Sequence, residues 1–450
     1  MTAMPLRMLL DPPAVEPVLR NAVPIDWPSG EPPCDARVER CWPIRADGFS
    51  FEWSFKLAGG RRYTLHGIQP APTVAASAES TCPTLTPTAL RGVCVQVPAL
   101  NLLIHSADCD PHMPHLARCL DPGQMSPRLT AWLGAPSDQS GSDHSRAGVA
   151  CEPLSYRAGR RAAIAYCHAQ GRGEPRRVFG KTYRNGRGAR LMRLHEQLNE
   201  RLQPQLGWRI CAPRPLGFLP DLHMALFEWV RGSFRRAGAT AGRFLAAVDA
   251  LSALHRTALD GLTPFTVADD CAVLRRWHAA LTLADPRSAE HTHGLLNALL
   301  QRAAQLPPAR PCTIHRDFYA RQVLISARAT TLVDFDTLAQ GDPGVDLGNL
   351  VAHALFDQLA AGARLESLPA IGSGWLERYE HLNQRIDQRS LAFYTASALF
   401  RVGAVHALRS ATRRHAPALW QLAAMKISHP TRSPLATALG RMEQHDALSH

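Results

Sequence analysis

The spacing of hydrophobic and polar positions changes near residue 186 of this chain. Before that point the apolar runs have the length of strands and are separated by turn residues. FSFEWSFKL and RRYTLHGI flank Gly59-Gly60 as in a β-hairpin, and VCVQVPALNLLIH is a further strand candidate. LSYRAGRRAAIAYCHA and RVFGKTYR then predict an antiparallel meander.

After Gly186 the apolar spacing is that of helices. RGARLMRLHEQLNERL has leucines at three- and four-residue intervals, and GRFLAAVDALSALHRTAL has one apolar face. Segments 293–304 and 390–409 are also predicted to be helical. The pattern therefore favours the α+β class, with a small antiparallel β lobe followed by a larger, mostly α lobe.

Two stretches rich in small and polar residues, QPAPTVAASAESTCPTLTPTA and GAPSDQSGSDHSRAG, are typical of linkers. They set off an N-terminal region that contains β-strands and whose chemistry the sequence does not indicate. The predicted organisation is a tail at 1–30, an accessory, cap-like domain at 31–133, a linker at 134–150, a β-rich lobe at 151–230 and a helical lobe at 231–440.

Composition excludes several classes of protein. The net charge of +12 is spread over isolated arginine pairs without an aromatic-interleaved basic motif, so nucleic-acid binding is not expected. No long uncharged apolar run and no signal sequence is predicted, which favours a cytoplasmic protein without a membrane segment. The 11 cysteines form no CxxC pair, so neither a disulfide framework nor a zinc site is indicated. The sequence gives no indication of the oligomeric state.

The chemistry is concentrated in residues 311–350. IHRDFYARQVLI and TLVDFDTLAQGDPGVDLGNL predict a loop with His315, Asp317 and Gln322, then a strand, a turn at ARAT and a second strand that ends at Asp334. Transfer of a γ-phosphoryl group needs a carboxylate to orient and deprotonate the attacking hydroxyl, and oxygen ligands for Mg²⁺. Asp317 is the candidate base, and Asp334 and Gln322 are the candidate metal ligands. Asp336 is either a second metal contact or a solvated carboxylate.

Three ordered submotifs in this segment resemble the signature of the aminoglycoside phosphotransferase and choline kinase-like superfamily, whose members are related to protein kinases. The family pattern is HxDxxxxN, then IDxD/E, then GDPxxDL. The corresponding residues are His315-Arg-Asp317-Phe-Tyr-Ala-Arg-Gln322, Val333-Asp334-Phe-Asp336 and Gly341-Asp342-Pro343-Gly-Val-Asp346-Leu347. The resemblance implies a bilobal, protein-kinase-like fold and a kinase that uses ATP and Mg²⁺ on a small-molecule hydroxyl acceptor.

One position departs from the family pattern, because Gln322 stands where Asn is usual. Its carbonyl oxygen has the same donor character towards a hard cation, although one more bond must be fixed. Maltose kinases of this superfamily also carry Gln here and an N-terminal cap domain, so a maltose-type sugar kinase is an alternative. His315 is expected to hold the loop by hydrogen bonds, with a direct chemical role as the other possibility. Asp346 is expected to brace the loop, and Asp342 to cap the next helix.

The resemblance also implies a lysine on an upstream strand, paired with a glutamate on the following helix. Lys181 in RVFGKTYR fits, with Glu196 as its partner, and it is informative because 47 of the 50 basic residues are arginine. Glu228 to Val230 correspond to the segment that offers backbone groups to adenine. The turn at 157–161 occupies the place of a phosphate-covering loop, although it has a single glycine.

Three functions compete. The leading one is an active Mg-ATP-dependent phosphotransferase with an alcohol group as acceptor. The second is a nucleotide-binding regulator with little turnover, which Gln322 motivates and the joint presence of Asp317, Asp334 and Lys181 opposes. The third, a polyanion-binding protein, rests on net charge alone. A cationic acceptor fits the net charge poorly, whereas a sugar, a small alcohol or an anionic acceptor all remain open.

Overall fold

The computed structural model describes residues 6–22, 34–44, 48–57, 61–69, 84–85, 90–133, 149–168, 176–202, 209–232, 241–326, 329–365 and 374–429. Two compact units divide the chain. The first comprises Met1–Glu196 and Pro213–Val230, and the second Gln197–Ala212 and Arg231–His450.

The first unit contains two five-stranded antiparallel sheets, preceded by two short helices. The first sheet has the order β1-β2-β3-β7-β6 and the second the order β12-β13-β10-β9-β8. The strands of this unit are β1 (Cys34–Pro43), β2 (Phe49–Lys56), β3 (Arg62–Gln69), β4 (Thr84–Leu85), β5 (Leu90–Arg91), β6 (Cys94–Val97), β7 (Leu102–His105), β8 (Val149–Arg157), β9 (Arg161–His168), β10 (Arg176–Tyr183), β12 (Pro215–Leu219) and β13 (Met224–Glu228). Its helices are α1 (Leu6–Leu9), α2 (Pro12–Ala22), α3 (Leu116–Cys119), α4 (Pro122–Leu133) and the first part of α5 (Arg187–Arg201).

The hairpin predicted around residues 59–60 is present, because β2 and β3 pair antiparallel from Phe49↔Gln69 to Lys56↔Arg62. Its turn, 58–60, lies outside the described residues. The single strand predicted for VCVQVPALNLLIH is wrong, since β6 and β7 are two antiparallel strands. Pro98 begins a 3-10 turn between them, and Asn101 closes it in the left-handed conformation at φ 48°.

The meander predicted after residue 150 is present as β8, β9 and β10, with β10 also paired to β13. Helices α3 and α4, which precede it in sequence, share its hydrophobic core. Met113, Leu116 and Leu129 are fully buried together with Ile164 and Tyr166 of β9. The N-terminal region therefore packs against this sheet through α3 and α4.

The second unit is mostly helical. Its helices are α6 (Ala241–Arg256), α7 (Val267–Ala284), α8 (Pro286–Ala303), α9 (Gly344–Ala360), α10 (Trp375–Leu382), α11 (Gln388–Ala407) and α12 (Ala416–Ser428). The short strands β11 (Arg209–Cys211), β16 (Val323–Ile325) and β17 (Ala329–Leu332) form one sheet, and β14 (Pro264–Phe265), β15 (Cys312–Ile314) and β18 (Ala339–Gly341) form another. Side chains cap the N-terminal ends of several helices. Thr266 and Asp269 form a capping box for α7, and Asp387 caps α11.

Helices α9 and α11 lie at the centre of the second unit and are buried over most of their length. They approach closely at Gly348, where an added Cβ would lie 2.5 Å from the backbone carbon of Tyr394. A side chain at this position would collide with the α11 backbone, so glycine permits the close packing of α9 against α11. The α+β class with an additional N-terminal sheet is confirmed. Among the described residues, no helix is long and apolar enough to cross a membrane.

Candidate active site

A buried carboxylate holds the loop that carries Asp317. Asp346, in the first turn of α9, is fully buried and accepts the backbone N–H groups of His315 and Arg316 at 2.6 and 2.7 Å. Its Oδ2 also lies 3.1 Å from Nε2 of His255 on α6. These are the bracing contacts that the sequence predicts for Asp346. They fix the backbone on the N-terminal side of the candidate base.

Arg316 adopts the left-handed conformation, with φ at 68°. A residue with a long side chain rarely takes this conformation unless its surroundings enforce it. Its N–H is bound by Asp346, its carbonyl accepts from Nδ2 of Asn349 at 3.0 Å, and its guanidinium lies 3.9 Å from the ring centre of Phe265. Burial lowers the pKa of this guanidinium, while Asp269 raises it. The conformation of Arg316 therefore sets the direction in which the chain presents Asp317.

His315 is fully buried and acts as a structural anchor in the described contacts. Its Nε2 lies 2.9 Å from the carbonyl oxygen of Val333, so this nitrogen carries the proton and donates. Its carbonyl accepts from Thr337 at 2.7 Å, and its ring contacts Phe318 and Phe335. Within the part of the chain that the structure describes, Nδ1 is buried without a hydrogen-bond partner. A direct chemical role for His315 stays a prediction.

The candidate metal ligands flank the predicted hairpin, which forms from β16 and β17. The N–H of Val333 donates to the backbone carbonyl of Gln322 at 3.0 Å, which brings the end of the loop next to the residue before Asp334. Asp334 itself is left-handed, with φ at 64°, a conformation that Asp tolerates better than most residues. Residues 327–328 of the predicted ARAT turn lie outside the described residues.

The donor atoms at this place are of the type that Mg²⁺ prefers. Gln322 is buried, whereas Asp334 and Asp336 are half-buried, and all three offer oxygen. The described residues contain no group of three or more His, Cys, Asp or Glu side chains that could hold a metal ion. The two carboxylates of Asp334 and Asp336 are nevertheless compatible with a Mg²⁺ site, because this ion usually keeps waters and substrate phosphates among its ligands. Asp342 accepts the N–H of Gly344 at 2.7 Å, as expected for a helix cap.

The residues predicted for nucleotide binding lie in the first unit. Lys181 is buried on β10, with Nζ 6.0 Å from the ring centre of Tyr183. On α5 the polar residue His195 is buried, while Glu196 is exposed. Burial, with a smaller contribution from the neighbouring Lys181, lowers the pKa of His195 to about 4, so this imidazole is neutral beside the ammonium. The pairing of Lys181 with Glu196 stays a prediction.

At the end of β13 one of the predicted backbone donors is already in use. The N–H of Glu228 donates to the carbonyl of Arg214 at 2.9 Å, and its carboxylate accepts the N–H of Arg214 at 2.9 Å. An adenine ring would therefore have to use other backbone groups between Glu228 and Val230. The resemblance could not show this, because it identifies the segment and not the hydrogen bonds within it.

The turn between β8 and β9, at the place of a phosphate-covering loop, is held by the N-terminal region. Oδ2 of Asp110 accepts the N–H of Gly159 at 2.6 Å and the hydroxyl of Tyr156 at 2.5 Å. Gly159 has φ at +67°, and an added Cβ would lie 2.9 Å from the His112 ring. A second contact joins Nε2 of His115 to Oγ1 of Thr182, next to Lys181, at 3.0 Å. The short segment 110–115 thus positions both the turn and the lysine strand.

Sequence reasoning missed the supporting residues Arg316, Asn349 and Asp110. Asn349 follows Asp346 by three residues and therefore lies on the same side of α9, so the helical spacing in the sequence could have indicated it. No sequence pattern indicated the role of Asp110, because its hydrogen-bond partners are about 50 residues away in the chain.

The chain matches the model of the phosphotransferase enzyme family over residues 169–394. This match covers half of the chain, and the chain therefore belongs to that family of phosphotransferases. The predicted resemblance is confirmed at this level.

Solved structures that match the chain include a phosphotransferase and a kinase-family protein. A putative aminoglycoside phosphotransferase from Ralstonia eutropha is 13% identical, with a TM-score of 0.46, and the match covers 69% of this chain and 98% of that chain. A choline/ethanolamine kinase family protein from Mesorhizobium loti is 15% identical, with a TM-score of 0.41, over 75% of this chain and 94% of that chain. No curated protein matches the chain significantly.

Proposed function

We propose that the protein transfers the γ-phosphoryl group of Mg-ATP to a hydroxyl group of a small molecule, with Asp317 as the base. The observation that carries the proposal is the buried network of Asp346, which accepts two successive backbone N–H groups immediately before Asp317. A loop held through its backbone in this way fixes the position of the Asp317 carboxylate and does not need bonds to that carboxylate for the support. Positioning of this kind is the main contribution of a protein to phosphoryl transfer.

In the proposed reaction the acceptor oxygen attacks the γ-phosphorus while Asp317 receives the hydroxyl proton, and the bond between the γ-phosphorus and the bridging oxygen of ADP breaks. Gln322, Asp334 and Asp336 are the residues that would hold Mg²⁺. When bound, the ion neutralises charge on the phosphate oxygens. Lys181 is assigned to the nucleotide phosphates, where a compact ammonium fits better than guanidinium.

The test separates phosphotransfer from nucleotide binding without turnover. ATP consumption is measured with a panel of alcohols for the wild type and for Asp317→Asn. We expect the variant to keep its affinity for Mg-ATP and to lose at least about 10²-fold in turnover, as for the loss of a general base. If wild type binds Mg-ATP but no alcohol raises ATP consumption above background, the protein is a nucleotide-binding regulator instead.

The metal assignment has a test of its own. Asp334→Ala should abolish the Mg²⁺-dependent part of the thermal stabilisation by ATP, because the variant lacks a principal metal ligand. Asp260→Asn is the matched control, since Asp260 is largely exposed and paired with Arg201 in the same unit. Undiminished stabilisation of Asp334→Ala by Mg-ATP would show that the metal lies elsewhere. The relation to maltose kinases stays a prediction, which maltose within the alcohol panel tests directly.

A further inference from the structure

A single buried carboxylate of the N-terminal region holds the turn between β8 and β9. Asp110 is 1% exposed, and its Oδ2 accepts the N–H of Gly159 at 2.6 Å and the hydroxyl of Tyr156 at 2.5 Å. Its Oδ1 accepts the N–H of His112 at 2.8 Å. Burial, and then Asp110, raise the pKa of Tyr156 well above its usual value, so the hydroxyl keeps the proton that it donates. One carboxylate therefore joins the N-terminal region to the turn.

The conformation of this turn depends on a glycine that faces segment 110–112. The turn comprises residues 158–160, between the last paired residues of β8 and β9. Gly159 has φ at +67°, a left-handed conformation that glycine adopts without strain. An added Cβ would lie 2.9 Å from Cδ2 of the His112 ring. The turn and the segment therefore fit together closely, and a side chain at residue 159 would push them apart.

A second contact from the same part of the N-terminal region supports the lysine strand, β10. Nε2 of His115 lies 3.0 Å from Oγ1 of Thr182, which is fully buried. Thr182 donates its own hydroxyl proton to the carbonyl of Leu222 at 2.7 Å, so His115 is the donor in its contact with Thr182. This hydrogen bond fixes β10 at the residue next to Lys181, which is assigned to the nucleotide phosphates.

Asp110 and Lys181 lie on opposite faces of this sheet. Successive side chains of a strand point to opposite faces, so Lys181 points away from the face of Val178 and Thr182. Val178 belongs to the core that the sheet shares with α3 and α4, and Tyr156, which is hydrogen-bonded to Asp110, packs against the same core. Asp110 therefore supports the turn from behind and leaves the Lys181 face to the nucleotide.

We propose that Asp110 is a positioning residue for the nucleotide phosphates, because it holds the turn that covers them in its binding conformation. The inference rests on the proposed function, since it assigns this turn to the phosphates of the bound nucleotide. A turn that is already ordered loses little conformational freedom when the nucleotide binds, so the affinity for the phosphates should depend on Asp110. This assigns the N-terminal region a role in nucleotide binding, although Asp110 lies outside residues 169–394, which match the family model.

The first experiment compares two ligands that differ in their phosphates. Binding of Mg-ADP and of adenosine is measured by calorimetry for the wild type and for Asp110→Asn, which preserves the volume of the side chain but places an NH₂ group against the donors of the turn. The Kd of Mg-ADP should rise by about ten- to hundredfold, the factor that corresponds to one charge-assisted hydrogen bond. The Kd of adenosine should change by less than about twofold, because adenosine lacks the phosphates that the turn covers. A general loss of structure would instead weaken the binding of both ligands.

A second variant disturbs the same contact from the side of the turn. Gly159→Ala leaves Asp110 in place but puts a Cβ against the His112 ring, so it should also raise the Kd of Mg-ADP and not that of adenosine. Asp121→Asn is the matched control, because Asp121 is exposed and binds only backbone N–H groups at the start of α4 in its printed contacts. Asn caps a helix as well as Asp does, so this variant should bind both ligands like the wild type. With an active acceptor, Asp110→Asn should raise the KM for ATP and leave the KM for the acceptor unchanged.

The outcomes separate the role of Asp110 from phosphotransfer itself. If Asp110→Asn binds Mg-ADP with wild-type affinity, or loses affinity for Mg-ADP and adenosine by the same factor, the role of Asp110 is overturned whether or not an alcohol raises ATP turnover. If the loss is confined to Mg-ADP while no alcohol raises turnover, the role of Asp110 is supported and phosphotransfer alone fails. If the wild type binds no nucleotide, both proposals fail.

Discussion

Replacement of Asp346 by Asn tests the support of the loop that carries the candidate base Asp317. The substitution preserves volume but leaves one oxygen to accept, where the carboxylate now serves two backbone N–H groups and His255. One charge-assisted hydrogen bond is lost, and the amide NH₂ must face a backbone N–H in a fully buried place. A charged hydrogen bond contributes about 1.5–3 kcal/mol, and an unpaired buried donor costs about 1–3 kcal/mol. We expect the free energy of unfolding to fall by about 2.5–6 kcal/mol, the range that these two contributions span together.

The effect on turnover should be larger than the effect on nucleotide binding. A displacement of about 1 Å in a positioned group lowers the rate by about 10²-fold, whereas the residues assigned to the nucleotide phosphates lie on other elements. The assays are urea unfolding, hydrogen exchange of the His315 and Arg316 amides, and ATP turnover. Asp260→Asn, in an exposed pair with Arg201, should change stability by less than about 1 kcal/mol. A variant at Asp346 with wild-type amide protection and turnover within about twofold of wild type would refute the reasoning.

Three further predictions concern other parts of the chain. The pKa of His406 is lowered to about 3 in the folded state, so as the pH falls below 6.5 the unfolded chain takes up the proton first. The free energy of unfolding should therefore decrease between pH 6.5 and 4. His406→Gln should reduce the slope of the free energy of unfolding against pH by about 1.4 kcal/mol per pH unit. Gly348→Ala should destabilise by about 1–3 kcal/mol, because its Cβ meets the Tyr394 backbone, whereas Gly294→Ala in open space on α8 should be neutral or stabilising by up to about 1 kcal/mol in thermal melts. Asp110→Asn should expose the Gly159 amide to hydrogen exchange while leaving α9 protected, and unchanged exchange at Gly159 would contradict the anchoring role.

The sequence by itself determined the elements of residues 311–350 and made Asp317, Gln322 and Asp334 the candidates for their chemistry. Strand and helix periods are local properties, so the meander β8–β10, helix α5 and the hairpin that ends at Asp334 were predictable from the apolar pattern and the turn residues. Motif spacing indicated Asp317 as the candidate base and Asp346 as the brace of its loop, because the loop and the helix that braces it are only about thirty residues apart. The strand at 93–105 was predicted wrongly, since its apolar run continues across Pro98 and hides the turn.

Only the tertiary structure decided which side chains support these residues. The left-handed conformation of Arg316 depends on bonds from Asp346 and Asn349, and Asp110 reaches a turn about 50 residues further along the chain. Contacts between distant segments depend on how helices and sheets pack together, and a linear pattern of residues carries little of that information.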